Sequence, residues 1–597
     1  MMTQTQVGTE LKKIDPITVQ VVLGALENVA IEMGHKLARM SYSSIIRESE
    51  DFGCALVDIN GQQLCESSHS TPLQSGPIPG YVKGIQQIME ERKDTFQPGD
   101  VIMHNSPYHG ASHGPDVGFC IPVFYQDKLI GFSVTTAHHL DIGASTPGSC
   151  GIVDAVDAYA EGLQFKAIKV YDSGIKNRYV WDILMDNIRA PKLVVGDMEA
   201  QIAAARIGAQ RYIEIIEKYG LETVERATEE LMNYSEKMMR DAINKLPDGE
   251  YSAEGFLDGY LDSDDPSKKD LKIAVTVKVN GSELTVDLTG TSPQVSDRPI
   301  NMPLVGTVDI AIYLTLRSIL LDSTKYGNFP QNSGLTRPIN IVAPKGTMCN
   351  PIFPAPTIAR FNSGNIVADT LMKALAQVVP HQISAGVGNL QVVAFSGKTE
   401  DENYWVYMDI MEGSYGGRYG KDGMDAVDTL YANTRNNPIE DIESHYPLRV
   451  NRYELRDHYS APGKWRGGIG SVREVTFLSD GSFSVEADGH KFAPWGFDHG
   501  KSGSVGGLSI SDEETGEIVK LPSKLPNRTV SSGSTIQLVG PCGGGYGDPF
   551  ERNPEKVLSD YFDGYITKEK ALSDYGVVIT NDETIDYDKT DALRKNN

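Results

Sequence analysis

The chain has 597 residues, 40% of them hydrophobic, with 80 acidic side chains against 55 basic ones and a formal net charge of −25. A field of that sign repels phosphate backbones and anionic headgroups, so neither nucleic acid nor a membrane surface is an expected partner. The length exceeds one ordinary domain, the first residues form no apolar leader, and no run approaches the ~20 apolar residues that span a bilayer.

Asp15-Pro16 is a helix start, a capping carboxylate followed by proline in the first turn. Val22, Leu26, Val29, Met33, Leu37 and Met40 then recur at helical spacing, which predicts one helix to about Tyr42. Cys54 to Asp58 and Gln62 to Glu66 flank Asn60-Gly61, a hairpin signal. A helix near Tyr81 to Arg92 and a strand at Val101 to His104 follow. Val117 to Tyr125 and Leu129 to Ala137 read as two strands joined around Gln126-Asp127-Lys128. Asn187 to Leu246 reads as two or three packed helices. From Gly249 the character changes: Leu271 to Val279 and Ser282 to Leu288 form a hairpin at Asn280-Gly281, and helices are expected over 305–320 and 365–379. The last third is rich in glycine and turns. The expected fold is mixed α+β and multi-domain, with an N-terminal α/β domain bearing a metal site (15–170), a helical segment (171–250), a mixed α/β domain (251–400) and a β-rich C-terminal domain (401–580).

Six cysteines (Cys54, Cys65, Cys120, Cys150, Cys349 and Cys542) stand without any C-x-x-C pair, neither a zinc framework nor a disulfide scaffold. A reducing cytoplasm is the expected location. No Gly-x-Ser-x-Gly elbow is present, so covalent catalysis has no support. Gly543-Gly544-Gly545-Tyr546-Gly547-Asp548-Pro549 lacks the Gly-Lys-Ser/Thr close of a phosphate loop, and Asp548-Pro549 blocks an immediate helix. It reads as a tight turn.

Six of the twelve histidines fall between His69 and His139. His113 and Asp116 precede the first strand of the second hairpin, and His138 and His139 end its partner. With the turn centred near Asp127, Asp116 falls opposite His138, close enough for both to reach one ion. His113, in the irregular Gly-Pro segment, can fold over the same point. Two imidazoles and a carboxylate suit a divalent metal such as zinc or manganese. A polar mouth of an ordinary hairpin is the competing reading. Ile46-Arg47-Glu48-Ser49-Glu50-Asp51-Phe52 reads as a solvated loop on composition, although Asp51 closely precedes a strand, where sites are commonly built.

These stretches carry a resemblance. Ser44 through Ala55, Asn105-Ser106-Pro107-Tyr108-His109-Gly110, His113 through Val117, and Ala137 through Gly143 resemble motifs of the hydantoinase B/oxoprolinase family. Glu161-Gly162-Leu163, Asn433 to Glu440, Arg466 to Gly470, and the tail from Gly545-Tyr546-Gly547-Asp548-Pro549 through Val578 continue the pattern in order, over roughly residues 15–580. One departure is Ser70, where many members carry a second histidine after the one matching His69. The family comprises subunits of N-methylhydantoinases, caprolactamase, 5-oxoprolinases, and acetone and acetophenone carboxylases. The resemblance implies a divalent metal on His113, Asp116 and His138, with Asp51 as a fourth ligand or base. It also implies a hydantoinase A-type partner that binds ATP and phosphorylates a small-molecule substrate.

The expected activity is therefore ATP-dependent opening of a cyclic amide in a hetero-oligomer of (αβ)2 type, with Glu48 and His139 as further acid/base or supporting candidates. A ketone carboxylase subunit is the alternative. A scaffold with a structural metal is the third reading, and Asp116→Asn, through loss of activity or loss of folding, separates it from the other two.

Overall fold

The helix expected after Asp15-Pro16 forms as α1 (Pro16–Met40), the Asp15 carboxylate accepting from the Thr18 amide at 3.2 Å. In the computed structural model, the described residues are 14–595 apart from 150, 328, 431 and 512–515, so Cys150 and residues 1–13 lie outside them. Length and composition make α1 apolar enough to cross a membrane, contrary to the sequence expectation. Its Val22, Leu26, Val29, Met33 and Leu37 are nevertheless spent on the protein core.

That core is built on a seven-stranded sheet. Its strands are β1 (Phe52–Val57), β2 (Gln63–Glu66), β3 (Val101–His104), β4 (Asp116–Tyr125), β5 (Lys128–His138), β6 (Ile168–Asp172) and β7 (Ile175–Lys176). The order is β2-β1-β5-β4-β3-β6-β7, and every pairing is antiparallel. Helix α2 (Ile78–Arg92) covers one face, where Val82, Ile85 and Met89 pack with Ala55, Cys120, Phe132 and Val134. On the other face lie α1 and α3 (Pro191–Tyr219), whose Val194, Met198 and Ile202 meet Val117, Phe119 and Ile121. Both faces being covered, β1 is buried at all six positions and reads as a continuous apolar run rather than an alternating one.

Helix α4 (Leu221–Ile243) leads to a four-stranded sheet of β8 (Gly249–Gly259), β9 (Lys269–Asn280), β10 (Glu283–Asp287) and β11 (Ile339–Val342), ordered β11-β10-β9-β8. The Asn280-Gly281 hairpin forms as expected. The eleven-residue β8 has no counterpart among the expected elements, because Glu250, Ser252 and Glu254 alternate with only small or partly buried partners and leave no apolar run. Helix α5 (Asp309–Leu320) follows β10, and α6 (Phe361–Leu375) packs on β8 and β9.

The C-terminal third is β-rich, as expected. One sheet runs β13-β12-β16-β19 from β12 (Gln391–Lys398), β13 (Tyr404–Met411), β16 (Gly481–Glu486) and β19 (Lys524–Val530). The second runs β14-β15-β20-β17-β18 from β14 (Leu448–Leu455), β15 (Ser471–Phe477), β17 (Gly507–Ser511), β18 (Ile518–Leu521) and β20 (Thr535–Val539). Phe395, Phe477, Phe483, Val485, Leu508 and Ile536 share one core between them. The glycine segment ends where Asp548 caps a short 3-10 helix (Pro549–Glu551), against the expectation that Asp548-Pro549 blocks an immediate helix, but the glycine amides themselves are spent elsewhere. The amides of Gly543, Gly544 and Gly545 donate to the carbonyls of Gly468, Gly386 and Lys501, which leaves none of the three for a phosphate.

Candidate metal centre

The β4–β5 hairpin turns through Gln126 and Asp127, both at positive φ (48° and 62°). Such a two-residue turn pairs Tyr125 with Lys128 and Phe124 with Leu129. A bulge then leaves Ile130 unpaired, so Val123 faces Gly131 and the shifted register brings Asp116 opposite His138. On the neighbouring strand Phe52 faces Ala137, and the Asp51 carbonyl accepts the His138 amide at 3.2 Å. Asp51, His138 and Asp116 therefore stand abreast at the ends of three adjacent strands.

Two glycines let the surroundings close on this row. A Cβ at Gly53 would lie 2.7 Å from the Gln74–Ser75 backbone. Its absence seats the helical turn Pro72–Ser75 against β1, and Gln74 Nε2 donates to Asp116 Oδ1 at 2.8 Å. A Cβ at Gly118 would lie 2.6 Å from the Tyr81 ring, whose hydroxyl donates to the Asp116 carbonyl at 2.7 Å.

His113 Nε2 lies 3.0 Å from Asp116 Oδ1, His138 Nδ1 lies 2.8 Å from the same oxygen, and the two nitrogens are 3.3 Å apart. The other ring nitrogens fix the tautomers. His113 Nδ1 faces the Ile358 carbonyl at 2.8 Å and must donate to it. The Ser149 hydroxyl donates to the His139 carbonyl at 3.0 Å, so at 2.7 Å from His138 Nε2 its oxygen accepts. In its neutral form each ring then aims its inner lone pair at a carboxylate oxygen. Three lone pairs facing one another repel unless a cation lies among them. Donors bound tetrahedrally at ~2.05 Å stand roughly 3.3 Å apart, close to the spacing here, so the residues fit a zinc-sized ion.

All three side chains are buried. Burial presses on the charged form of Asp116, yet His113 and His138 beside it hold its pKa well below the usual carboxylate range. Its Oδ2 is further held by Ser112 Oγ at 2.5 Å and Arg360 Nη2 at 2.8 Å. Burial lowers His113 to about 4, partly offset by Asp116. Asp51 is raised to about 6, first by burial and then by Asp116, while His138 opposes the shift. Thr71 Oγ1 donates to its Oδ1 at 3.1 Å.

Of the residues singled out in the sequence, His113, Asp116 and His138 form the group with converging ligand atoms among the described residues. Asp51 adjoins the group without entering it. Glu48 lies apart from the group: its carboxylate takes the Arg47 guanidinium at 2.7 Å, its side chain is 34% exposed, and no ion pair among the described residues links it to the cluster. His139 also lies apart. Side chains alternate along a strand, so it turns to the opposite face, where Nε2 meets Gln201 Oε1 on α3 at 2.9 Å. His104 and His109 swell the histidine count without joining the site; His104 is kept neutral by burial, its pKa lowered to about 4, and spans the His109 carbonyl and the Ala167 amide.

No motif or periodicity pointed to Gln74, Ser112, Ser149 or Arg360. Glu161 lay in a motif without a role. It is buried and accepts the amides of Thr357 and Ile358, holding the loop that presents the Ile358 carbonyl and Arg360. Arg360, a lone charge in an otherwise uncharged stretch from Cys349 to Val367, is the one signal that a buried carboxylate waited elsewhere.

Fold and site together define a multi-sheet protein with a buried centre of two imidazoles and one carboxylate, suited to a divalent cation. The model of the hydantoinase B/oxoprolinase family matches residues 15–549, and the chain belongs to that family. It is 87% identical to a protein of Pseudomonas sp. (strain NS671) assigned as the B-type component of a D-/L-hydantoinase, over 99% of this chain and all of that one. The solved ATP-dependent caprolactamase from Pseudomonas jessenii superposes with a TM-score of 0.88 at 27% identity, covering 98% of this chain and 100% of that chain. A nucleotide-free acetone carboxylase structure gives 0.89 at 18% identity, covering 98% and 83%, a likeness of fold alone. The relatives so named are thus a hydantoinase component and an ATP-dependent caprolactamase.

Proposed function

We propose that this chain is the metal-bearing subunit of a cytoplasmic, ATP-dependent cyclic-amide hydrolase, with a hydantoin or related ring as substrate. The convergence of three lone-pair atoms at His113, Asp116 and His138 carries the reading, and the relation to a hydantoinase component selects the substrate class. A hydantoinase A-type partner, in an (αβ)2 assembly, binds ATP and transfers its γ-phosphoryl group to the amide oxygen, releasing ADP. Water then adds to the activated carbon, the ring nitrogen takes a proton and leaves as the carbon–nitrogen bond breaks, and a second water releases phosphate from the resulting acyl phosphate.

A divalent ion, zinc or manganese, would supply Lewis acidity for the attack of water when held by His113, Asp116 and His138. Ser149 and the Ile358 carbonyl fix which nitrogen each ring offers. Ser112 and Arg360 hold the outer oxygen of Asp116, so that its inner oxygen faces the centre. Asp51, with a pKa raised to about 6, is the base that takes the water proton, its carboxylate oriented by Thr71. Glu48 and His139 have no part in this step. Among the described residues, five free, buried thiols support the cytoplasmic placement.

The test is to co-purify the chain with its partner and follow ATP turnover with a hydantoin, a lactam and a methyl ketone, each with and without bicarbonate, while metal content is read on the same sample. Bicarbonate-independent ring opening is expected. Ketone consumption that strictly requires bicarbonate would overturn the hydrolase in favour of the carboxylase. Full activity in a metal-free complex would remove the His113/Asp116/His138 site in either chemistry.

A further inference from the structure

Beside the centre, the C-terminal sheet and α6 bring together buried polar atoms that the fold does not satisfy. Arg360, the partner of Asp116, immediately precedes α6, and Asn362 lies two residues further on. The Asn362 amide donates to Glu486 Oε1 on β16 at 3.0 Å, and its Nδ2 faces the Glu486 carbonyl at 3.4 Å. That contact assigns Oδ1 as the outward oxygen of Asn362. Asn365 follows one turn later on the same face of α6. A second route reaches the same place, since the loop carrying Ser149 abuts β16: a Cβ on Gly151 would stand 3.1 Å from Ser484 Oγ. Ser484 and Glu486 share one face of that strand.

Among the described residues, Asn362 Oδ1, both ends of the Asn365 carboxamide, Glu486 Oε2 and Ser484 Oγ have no hydrogen-bond partner. Asn362, Asn365 and Glu486 are fully buried and Ser484 is 1% exposed. Single buried groups of this kind occur in folded proteins, but a concentration of them beside a candidate centre calls for an outside partner. Their chemistry describes that partner. Asn362 Oδ1 accepts, and so does Glu486 Oε2 in its ionised form, burial having raised that carboxyl to about 7, so they call for N–H groups. Asn365 offers one acceptor and one donor side by side, whichever way its amide is turned. A small cyclic amide is locked cis and presents N–H and C=O on one edge, the complement of a carboxamide. A ketone offers acceptors alone.

We propose that Asn362, Asn365, Glu486 and Ser484 form the subsite that binds the cis-amide edge of a cyclic amide or ureide. This rests on the cyclic-amide reading above and deepens it, giving the chain its own means of choosing a ring amide over a ketone.

Calorimetric titration of the metal-loaded two-subunit complex with hydantoin, without ATP, tests it. Binding is expected in the parent complex and should weaken roughly 10–100-fold in Asn365→Leu, which deletes two hydrogen bonds at nearly constant shape. The melting temperature of that variant without hydantoin should hold or rise, because an apolar isostere relieves an unpartnered buried amide; a structural asparagine would lower it. Glu486→Gln, which keeps an oxygen for the Asn362 amide and turns a donor toward the ring N–H, should weaken binding at least tenfold and stands in if Asn365→Leu fails to fold. No hydantoin binding in the parent, or equal affinity in the variants, overturns the subsite. Turnover is scored separately. Binding with this variant profile but no ATP-dependent opening retains the subsite and rejects the hydrolase. Opening with undiminished kcat/KM in both variants does the reverse.

Discussion

Removing the Ser149 hydroxyl probes the centre without touching a residue that would hold the ion. In Ser149→Ala the proton on His138 Nε2 and the His139 carbonyl, now 2.7 Å and 3.0 Å from the hydroxyl oxygen, both lose a buried partner. Each unsatisfied group costs about 1–3 kcal/mol, so the metal-free protein should lose roughly 2–6 kcal/mol of stability. More telling is the tautomer. Without the serine, the ring proton can move to Nδ1, where Asp116 Oδ1 at 2.8 Å accepts it, and an incoming cation must first displace it. Losing such a support weakens metal binding about 10–100-fold, which is ~1.4–2.7 kcal/mol. At free metal about 1,000 times the parent Kd, binding stabilises the fold by ~4.1 kcal/mol; a hundredfold weaker site leaves about 1.4 kcal/mol. Competition with a chelator reads the affinity, and melting curves with and without metal read the increment, which should shrink to about a third. Unchanged affinity in a folded Ser149→Ala protein would refute the assignment of His138 Nδ1 as the coordinating atom.

Two further outcomes follow from the same surroundings. Burial raises Glu161 to about 8, so between its ordinary value of 4.5 and pH 8 the folded chain holds a proton that the unfolded chain has released, and stability falls as pH rises through that window. Glu161→Gln keeps an oxygen for the Thr357 and Ile358 amides and cannot ionise; its melting temperature should vary less between pH 5 and 8 and exceed the parent's at pH 8 by the equivalent of a few kcal/mol, whereas a variant less stable than the parent at pH 8 contradicts the assignment. Chelation of the co-purified complex should abolish ring opening while circular dichroism and subunit association persist, and zinc or manganese should restore it; dissociation or unfolding on chelation would instead mark the metal as structural.

The facing of Asp116 and His138 was legible because antiparallel pairing conserves the sum of residue numbers, and an assumed turn centre near Asp127 gave the right sum. His113 was legible as the neighbour of Asp116 across an irregular Gly-Pro step. Strand β8 was not, since a charged and polar strand edge carries no apolar alternation. Arg360 and Glu161 were hidden for a different reason: a buried ion pair 244 residues apart, and a carboxylate that holds backbone amides, leave no local pattern. The partner of Glu48 was hidden as well, because sequence distance says nothing about which guanidinium claims a carboxylate.

The unpaired Ile130 makes the centre depend on arithmetic. Between Asp116 and His138 this one residue must stay out of the ladder for the two to face each other. Were Ile130 instead paired with Val123, the unbroken ladder would set Asp116 against Ala137 and turn His138 toward α3, leaving every residue of the centre in the sequence and one of them on the wrong side of the sheet. Insertions of two residues at the Gln126-Asp127 tip would preserve the pairing. The tip lies outside the ladder and is therefore the place where this protein can be lengthened or tagged without dismantling its chemistry.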